Sequence, residues 1–136
     1  MYLLDLCGNG GDFYNGHCYR KTQQCQRFDI AGDKCQEEGA ILPVINSEEE
    51  SLFIQERIQS ATWLNLYKTS QSRSSHNQWN WRNGEPLNFT KWFPGQPEDL
   101  RDQSCAVVDN QGIDSGWTVE HCSACRSTVC KKGTQL

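Results

Sequence analysis

The chain has 136 residues, eight cysteines and a formal charge of −4, enough length for one domain with its own core. The acidic balance and the lack of any Lys/Arg run exclude a general nucleic-acid binder, and no apolar run is long enough to insert in a membrane as a helix. An even cysteine count in a small chain reads as a disulfide framework, which implies an oxidising compartment: secreted, or the extracellular face of the plasma membrane. Met1–Leu6 is too short for a signal peptide. Residues 1–136 are therefore expected to be a single domain cut from a larger extracellular protein.

Leu6–Asp12 is a Gly-rich loop anchored by Cys7, and Asn15-Gly16 between two aromatic runs predicts a two-residue hairpin within Phe13–Arg20. Phe28, Ala31 and Cys35 recur at helical spacing, which predicts a helix over Phe28–Glu38 with Gly39 at its C-terminal end. Pro43 breaks the apolar run Ile41–Ile45. Ser47–Ser60 is the clearest helix: Ser47 and Glu50 form a capping box, acids fill the first turn, and Leu52, Ile54, Gln55 and Ile58 mark an amphipathic face. Trp63–Tyr67 alternates as a strand, with Trp63, Asn65 and Tyr67 on one face. Lys68–Pro97 reads as a long polar loop anchored by Trp79, Trp81 and Trp92. Cys105–Val108 and Trp117–Cys122 are expected strands joined by the turn-rich Asp109–Gly116, and Ser127–Lys131 is the last strand. Half the cysteines and two of the five tryptophans fall in Trp92–Cys130, which makes that stretch the organising half.

Several constellations bear on chemistry. Cys122-Ser123-Ala124-Cys125 beside His121 is half a zinc site, but the other cysteines, at 7, 18, 25, 35, 105 and 130, supply no second pair at ligand spacing. Asp114-Ser115-Gly116 is similar to a serine nucleophile segment, yet Ile113 and Trp117 replace its flanking glycines, and the histidines at 17, 76 and 121 suggest no triad. Glu85 and Glu98 could be paired as glycosidase acids, but both read as solvated loop acids. No enzyme is expected. Asn88-Phe89-Thr90 is an N-glycosylation sequon and predicts a glycan on Asn88. The tryptophans at 79, 81 and 92 read as packing, with a sugar-stacking or protein-contact surface as the alternative.

Taken in order, FYNGHCYR over Phe13–Arg20, Phe28-x-x-Ala31-x-x-x-Cys35, Gly39-Ala40-Ile41-Leu42 with Ile45–Glu50, Trp63-Leu64-Asn65-Leu66, and Trp92-Phe93-Pro94-Gly95-Gln96-Pro97 resemble the motifs of the C-type lectin-like domain family. Trp117 five residues before Cys122, and Cys122 eight before Cys130, also fit the family spacing. The resemblance runs from Cys7 to Cys130, with Phe28 where the family usually has Trp. It implies an α+β fold of two helices, small antiparallel sheets and a long loop, stapled by disulfides. It also implies the pairings Cys7–Cys18, Cys35–Cys130 and Cys105–Cys122. Cys25 and Cys125 lie outside that framework; because the ends of such a domain run close together, they are expected to pair with each other.

Sugar-binding members of the family hold calcium through a Glu-Pro-Asn or Gln-Pro-Asp triplet, an acid before the third framework cysteine and a Trp-Asn-Asp triplet. Here the corresponding residues are Gln96-Pro97-Glu98, Asp102-Gln103-Ser104 and Trp117-Thr118-Val119, and Lys68–Gln78 contains no acid for an auxiliary site. Calcium needs six to eight oxygens, and this set is short of them. The resemblance thus implies ligand recognition largely independent of calcium, with a protein or glycan partner. Gln96, Pro97, Glu98, Asp99, Trp117 and Thr118 are the candidate ligand-binding residues. A calcium-dependent lectin using Gln96 and Glu98 is the alternative, and a hydrolytic enzyme comes third. No cofactor is expected, calcium being the one candidate ion, with Glu98 and Asp102 as its carboxylates.

Overall fold

A computed structural model describes residues 7–8, 10–22, 24–69, 79–98, 104–110 and 116–134. In chain order the elements are β1 (Asp12–Tyr14), β2 (His17–Lys21), α1 (Phe28–Glu37), α2 (Glu48–Gln55), β3 (Thr62–Lys68), β4 (Trp79–Trp81), β5 (Ser104–Val108), β6 (Trp117–His121) and β7 (Val129–Gly133). They form two antiparallel sheets, ordered β1-β2-β7 and β4-β3-β5-β6. The α+β expectation holds. Among the described residues no helix is long and apolar enough to cross a membrane.

The first sheet joins the two ends of the chain. Asn15 and Gly16 take φ of 46° and 82°, the left-handed pair that a type I′ turn requires, so β1 folds back on β2 in register. β2 then pairs with β7 along its whole length, Arg20 opposite Cys130. In the second sheet β3 is central, and core residues cover both of its faces. Trp63 turns toward α1 and packs edge-on against Phe28, with ring centroids 5.7 Å apart, while Leu64 and Leu66 turn into the other core layer. The Trp63 indole N–H donates to the Gln26 carbonyl at 2.7 Å, which gives its polar edge a partner.

Some boundaries differ from expectation. α2 stops at Gln55 rather than at Ser60: the Glu56 and Arg57 amides close the last turn on Leu52 and Ile54, and the chain then leaves the axis. Its buried face is Glu50, Ser51, Ile54 and Gln55, whereas Leu52 is 44% exposed. The last strand lies two residues further on than Ser127–Lys131. Trp79 and Trp81, read as loop, form β4, with Trp81 opposite Leu66 and Trp79 opposite Lys68. The Trp-Asn-Trp alternation was the strand signal, and the polar residues on either side of it obscured it.

Glu50 explains the rotation of α2. Ser47 caps the helix by accepting from the Glu50 amide, as the capping box predicts. The Glu50 carboxylate, however, turns into the core. One oxygen accepts from the Asn46 amide at 3.0 Å. The other accepts from the Tyr19 hydroxyl and from the Lys131 ammonium, each at 2.6 Å. Lys131 also donates to the Val44 carbonyl at 2.8 Å, so a buried ion pair has most of its hydrogen-bonding capacity filled.

Four disulfides complete the fold: Cys7–Cys18, Cys25–Cys125, Cys35–Cys130 and Cys105–Cys122. Cys35–Cys130 spans 95 residues, a loop worth about 4–5 kcal/mol in the chain-entropy model. Cys25–Cys125 interleaves with it, Cys25 standing before Cys35 and Cys125 before Cys130. Once Cys35–Cys130 is closed, Cys25–Cys125 closes a ring of only about fifteen residues, worth nearer 3 kcal/mol.

Two outcomes follow from the Glu50 network. Lys131→Met leaves a buried carboxylate without its counter-charge and lowers unfolding free energy by about 3–5 kcal/mol in guanidinium titration; the double change with Glu50→Leu recovers part of that loss. Burial and, secondarily, the Glu50 hydrogen bond push the Tyr19 hydroxyl far above its ordinary pKa of 10.0. The folded state therefore keeps a proton that the unfolded chain gives up above about pH 10, so stability falls with rising pH there and not below. Tyr19→Phe flattens that alkaline limb of the stability–pH curve.

Candidate ligand-binding site

The long loop is held against the second sheet by aromatic packing around Trp117, which is fully buried at the start of β6. The Trp81, Phe89 and Trp92 rings each meet the Trp117 ring edge-on with centroids 5.8–5.9 Å apart, and Trp79 meets Trp92 at 5.0 Å. The backbone repeats the contact: the Trp117 amide donates to the Lys91 carbonyl and the Phe93 amide donates to the Trp117 carbonyl, both at 2.8 Å. This approach needs Gly116, where a Cβ would lie 3.0 Å from both the Lys91 oxygen and the Phe93 nitrogen. Lys91 also reaches Glu48 of α2 at 3.4 Å. Trp79 and Trp81 are thus packing residues, 7% and 2% exposed, and offer no sugar-stacking surface.

Beyond Trp92 the chain turns. The Gln96 amide donates to the Phe93 carbonyl at 2.9 Å, Gly95 adopts a φ of 88°, and the Gln96–Pro97 peptide bond is cis. The Gln96 side-chain oxygen then accepts two backbone N–H groups, from Glu98 and from Val119, each at 3.1 Å. An amide oxygen has two lone pairs, and both are engaged. The side chain thereby ties the turn to β6. Pro97 and Glu98 stand exposed beside it. Asp99 and Asp102 lie outside the described residues.

The six candidate ligand-binding residues do not form one cluster. Trp117 is core. Thr118 pairs with Val107 and shares its face of the sheet, opposite to the Trp117 and Val119 side chains. It lines a shallow groove of about 280 Å³ with Ser60, Asp109, Glu120, Arg126 and Ser127. There Arg126 clasps Glu120 through two nitrogens, at 2.9 and 2.5 Å. This pair was missed in the sequence; its only signal is an acid and a base six residues apart across a turn.

Among the described residues the donor set falls short of what calcium needs. The Gln96 oxygen is occupied by protein N–H groups, the Thr118 hydroxyl faces the other side of the sheet, and Val119 has no side-chain oxygen. Glu98 is the one described carboxylate at the turn, and a hard divalent cation needs several. Among the described residues no group of three or more His, Cys, Asp or Glu is arranged to hold a metal.

The remaining constellations separate as well. Cys122 and Cys125 are oxidised to Cys105 and Cys25, which removes them as zinc ligands. His17 sits at the hairpin beside the Asn15 carbonyl, while His76, Asp114 and Ser115 lie outside the described residues. The Glu85 carboxylate accepts from the Asn83 side-chain amide. Asn88 and Thr90 are exposed, alternating with the half-buried Leu87 and Phe89, so the acceptor asparagine faces solvent.

Comparisons with known proteins agree with this architecture. The model of the lectin C-type domain matches residues 24–132. CD209 antigen-like protein D of Mus musculus is 31% identical over 137 residues, which cover 96% of this chain and 54% of that protein, so the chain spans about half the length of this relative. The C-type lectin domain of murine dendritic cell inhibitory receptor 2, solved in complex with N-glycan, superposes with a TM-score of 0.83 at 23% identity, covering 94% of this chain and 99% of that one. A calcium-independent type II antifreeze protein superposes with a TM-score of 0.81 at 24% identity, covering 95% of each chain. The two structural likenesses establish a common fold.

Gln96→Ala leaves two backbone N–H groups without an acceptor, the one on nearly buried Val119 among them, and lowers unfolding free energy by about 1–3 kcal/mol. Gln96→Glu keeps an acceptor oxygen and loses less. Chemical denaturation of the two variants side by side checks the order.

Proposed function

The chain belongs to the lectin C-type domain family, and from that membership we propose that it is an extracellular recognition module that binds a glycan or protein partner without calcium and without catalysis. The observation that carries this reading is the Gln96 side-chain oxygen, which accepts from the Glu98 and Val119 amides. In a calcium lectin of this family the corresponding residue would present its oxygen to the ion; here that oxygen organises the turn instead. Protein hydrogen bonds thus do the ordering work that an ion would otherwise do. One structural neighbour is described as calcium-independent and another as bound to N-glycan, so the two halves of the reading each have a counterpart on the same fold.

Extracellular residence is supported by the disulfides, since all eight cysteines are paired and such bridges persist in oxidising surroundings. The proposed contact surface is the exposed turn Gln96-Pro97-Glu98 and the loop that carries it. Asn88 is the proposed glycan acceptor on that same loop, and a glycan there would leave the turn as the uncovered part.

Three measurements test the reading. A glycan array run in millimolar calcium and again in chelator is expected to give the same pattern of bound glycans. Thermal melting in the same two buffers is expected to give the same midpoint, because a ligand stabilises only by RT ln(1 + [L]/Kd) and a single carboxylate gives a very weak site. A rise of several degrees in calcium, abolished by Glu98→Ala, would make the calcium-dependent lectin the better reading. Mass spectrometry of material from secreting eukaryotic cells is expected to find Asn88 glycosylated and Asn88→Gln unmodified.

A further inference from the structure

We propose that the Cys25–Cys125 bridge is a site of thiol–disulfide exchange, opened by a dithiol reductant and reclosed by a disulfide oxidant while the fold around it persists. The four bridges differ in access. Cys25 and Cys125 are both exposed. Cys35 and Cys130 are 0% and 3% exposed, Cys105 is fully buried with Cys122 half-buried, and Cys7 and Cys18 are both half-buried. Exchange begins when a thiolate reaches a disulfide sulfur, so exposure sets which bridge reacts first, and exposed bridges are the labile ones.

The bridge is also the one whose loss the fold can absorb. Cys35–Cys130 overlaps it in sequence and continues to hold the two ends of the chain together. Next to the bridge, the Gln26 amide donates to the Arg126 carbonyl at 2.9 Å and the Arg126 amide donates back to the Gln26 carbonyl at 3.0 Å. Trp63 donates to that same Gln26 carbonyl, and the Phe28 amide donates to the Cys122 carbonyl at 2.9 Å. Arg126 is anchored a second time by Glu120. None of these contacts uses a sulfur atom. They hold the two cysteines with Cα atoms 5.1 Å apart, a separation that lets the thiols find each other again after reduction.

The chemistry balances with a dithiol as the reductant. Its thiolate attacks one sulfur of the bridge, forming a mixed disulfide and releasing the other cysteine as thiolate. The reductant's second sulfur then displaces the first cysteine and leaves as a cyclic disulfide. Two electrons and two protons pass from the dithiol to Cys25 and Cys125. Reclosure by oxidised glutathione reverses the flow and yields two molecules of reduced glutathione. Because Cys25 and Cys125 line the groove that holds Thr118 and Glu120, opening the bridge loosens one wall of that groove.

The test treats the native chain with dithiothreitol at neutral pH without denaturant, traps thiols by alkylation over time and maps the labelled peptides. Cys25 and Cys125 are expected to label together, at least about tenfold faster than any other cysteine, with the near-ultraviolet circular dichroism unchanged. Oxidised glutathione is expected to restore the same bridge. Earlier labelling of Cys7 and Cys18 or of the core bridges, or labelling of all eight with loss of the tertiary signal, overturns the proposal. The double variant Cys25→Ser with Cys125→Ser is expected to fold with three bridges and to lack the fast phase; if it does not fold, the bridge is a requirement of the structure and the proposal fails.

Discussion

The buried carboxylate of Glu50 holds three parts of the chain at once. It takes a backbone amide from the segment that enters α2, a hydroxyl from β2 and an ammonium from β7. These strands come from opposite ends of the sequence, so the carboxylate can be satisfied only after the ends have met. The arrangement fixes which side of α2 faces inward, and with it the packing of Ile54 against Leu64 and Leu66 in the common core. A charge in this position adds less stability than specificity, because any other rotation of the helix would leave Lys131 or Glu50 buried and unpaired.

The second layer of organisation is aromatic. Trp117 gathers Trp81, Phe89 and Trp92 at similar edge-on distances, and those residues come from a strand, a loop and an isolated β-bridge. A long segment with little regular structure of its own is thereby fixed at several points to one buried ring. The turn at Gln96-Pro97-Glu98 is carried on that anchorage, so buried residues away from the proposed contact surface determine where it points.

Much of this was legible in the sequence. Helical spacing located α1, Ser47 located the start of α2, and Asn15-Gly16 located the hairpin, because each is a local signal read over a few residues. The end of α2, the exposure of Leu52 and the strand character of Trp79–Trp81 were not legible, since each depends on a partner distant in sequence: Lys131 for the helix rotation, Leu66 and Lys68 for the strand. The candidate site divides in the same way. The lack of calcium oxygens could be counted from residue types, but the direction of the Thr118 side chain follows from its pairing with Val107. The use of Gln96 as a double acceptor follows from the return of β6 to the turn. The extra cysteine pair was legible as a leftover, while the reciprocal Gln26–Arg126 hydrogen bonds beside it were not.

The Gln96 side chain has one more implication. A loop ordered by a bound ion is a two-component system, and its shape responds to the concentration of a solute the protein does not control. A loop ordered by its own amide has no such external variable. Its geometry is set at the moment of folding and travels with the chain, so, on the calcium-independent function proposed above, two compartments that differ only in free divalent ions would present a partner with the same surface.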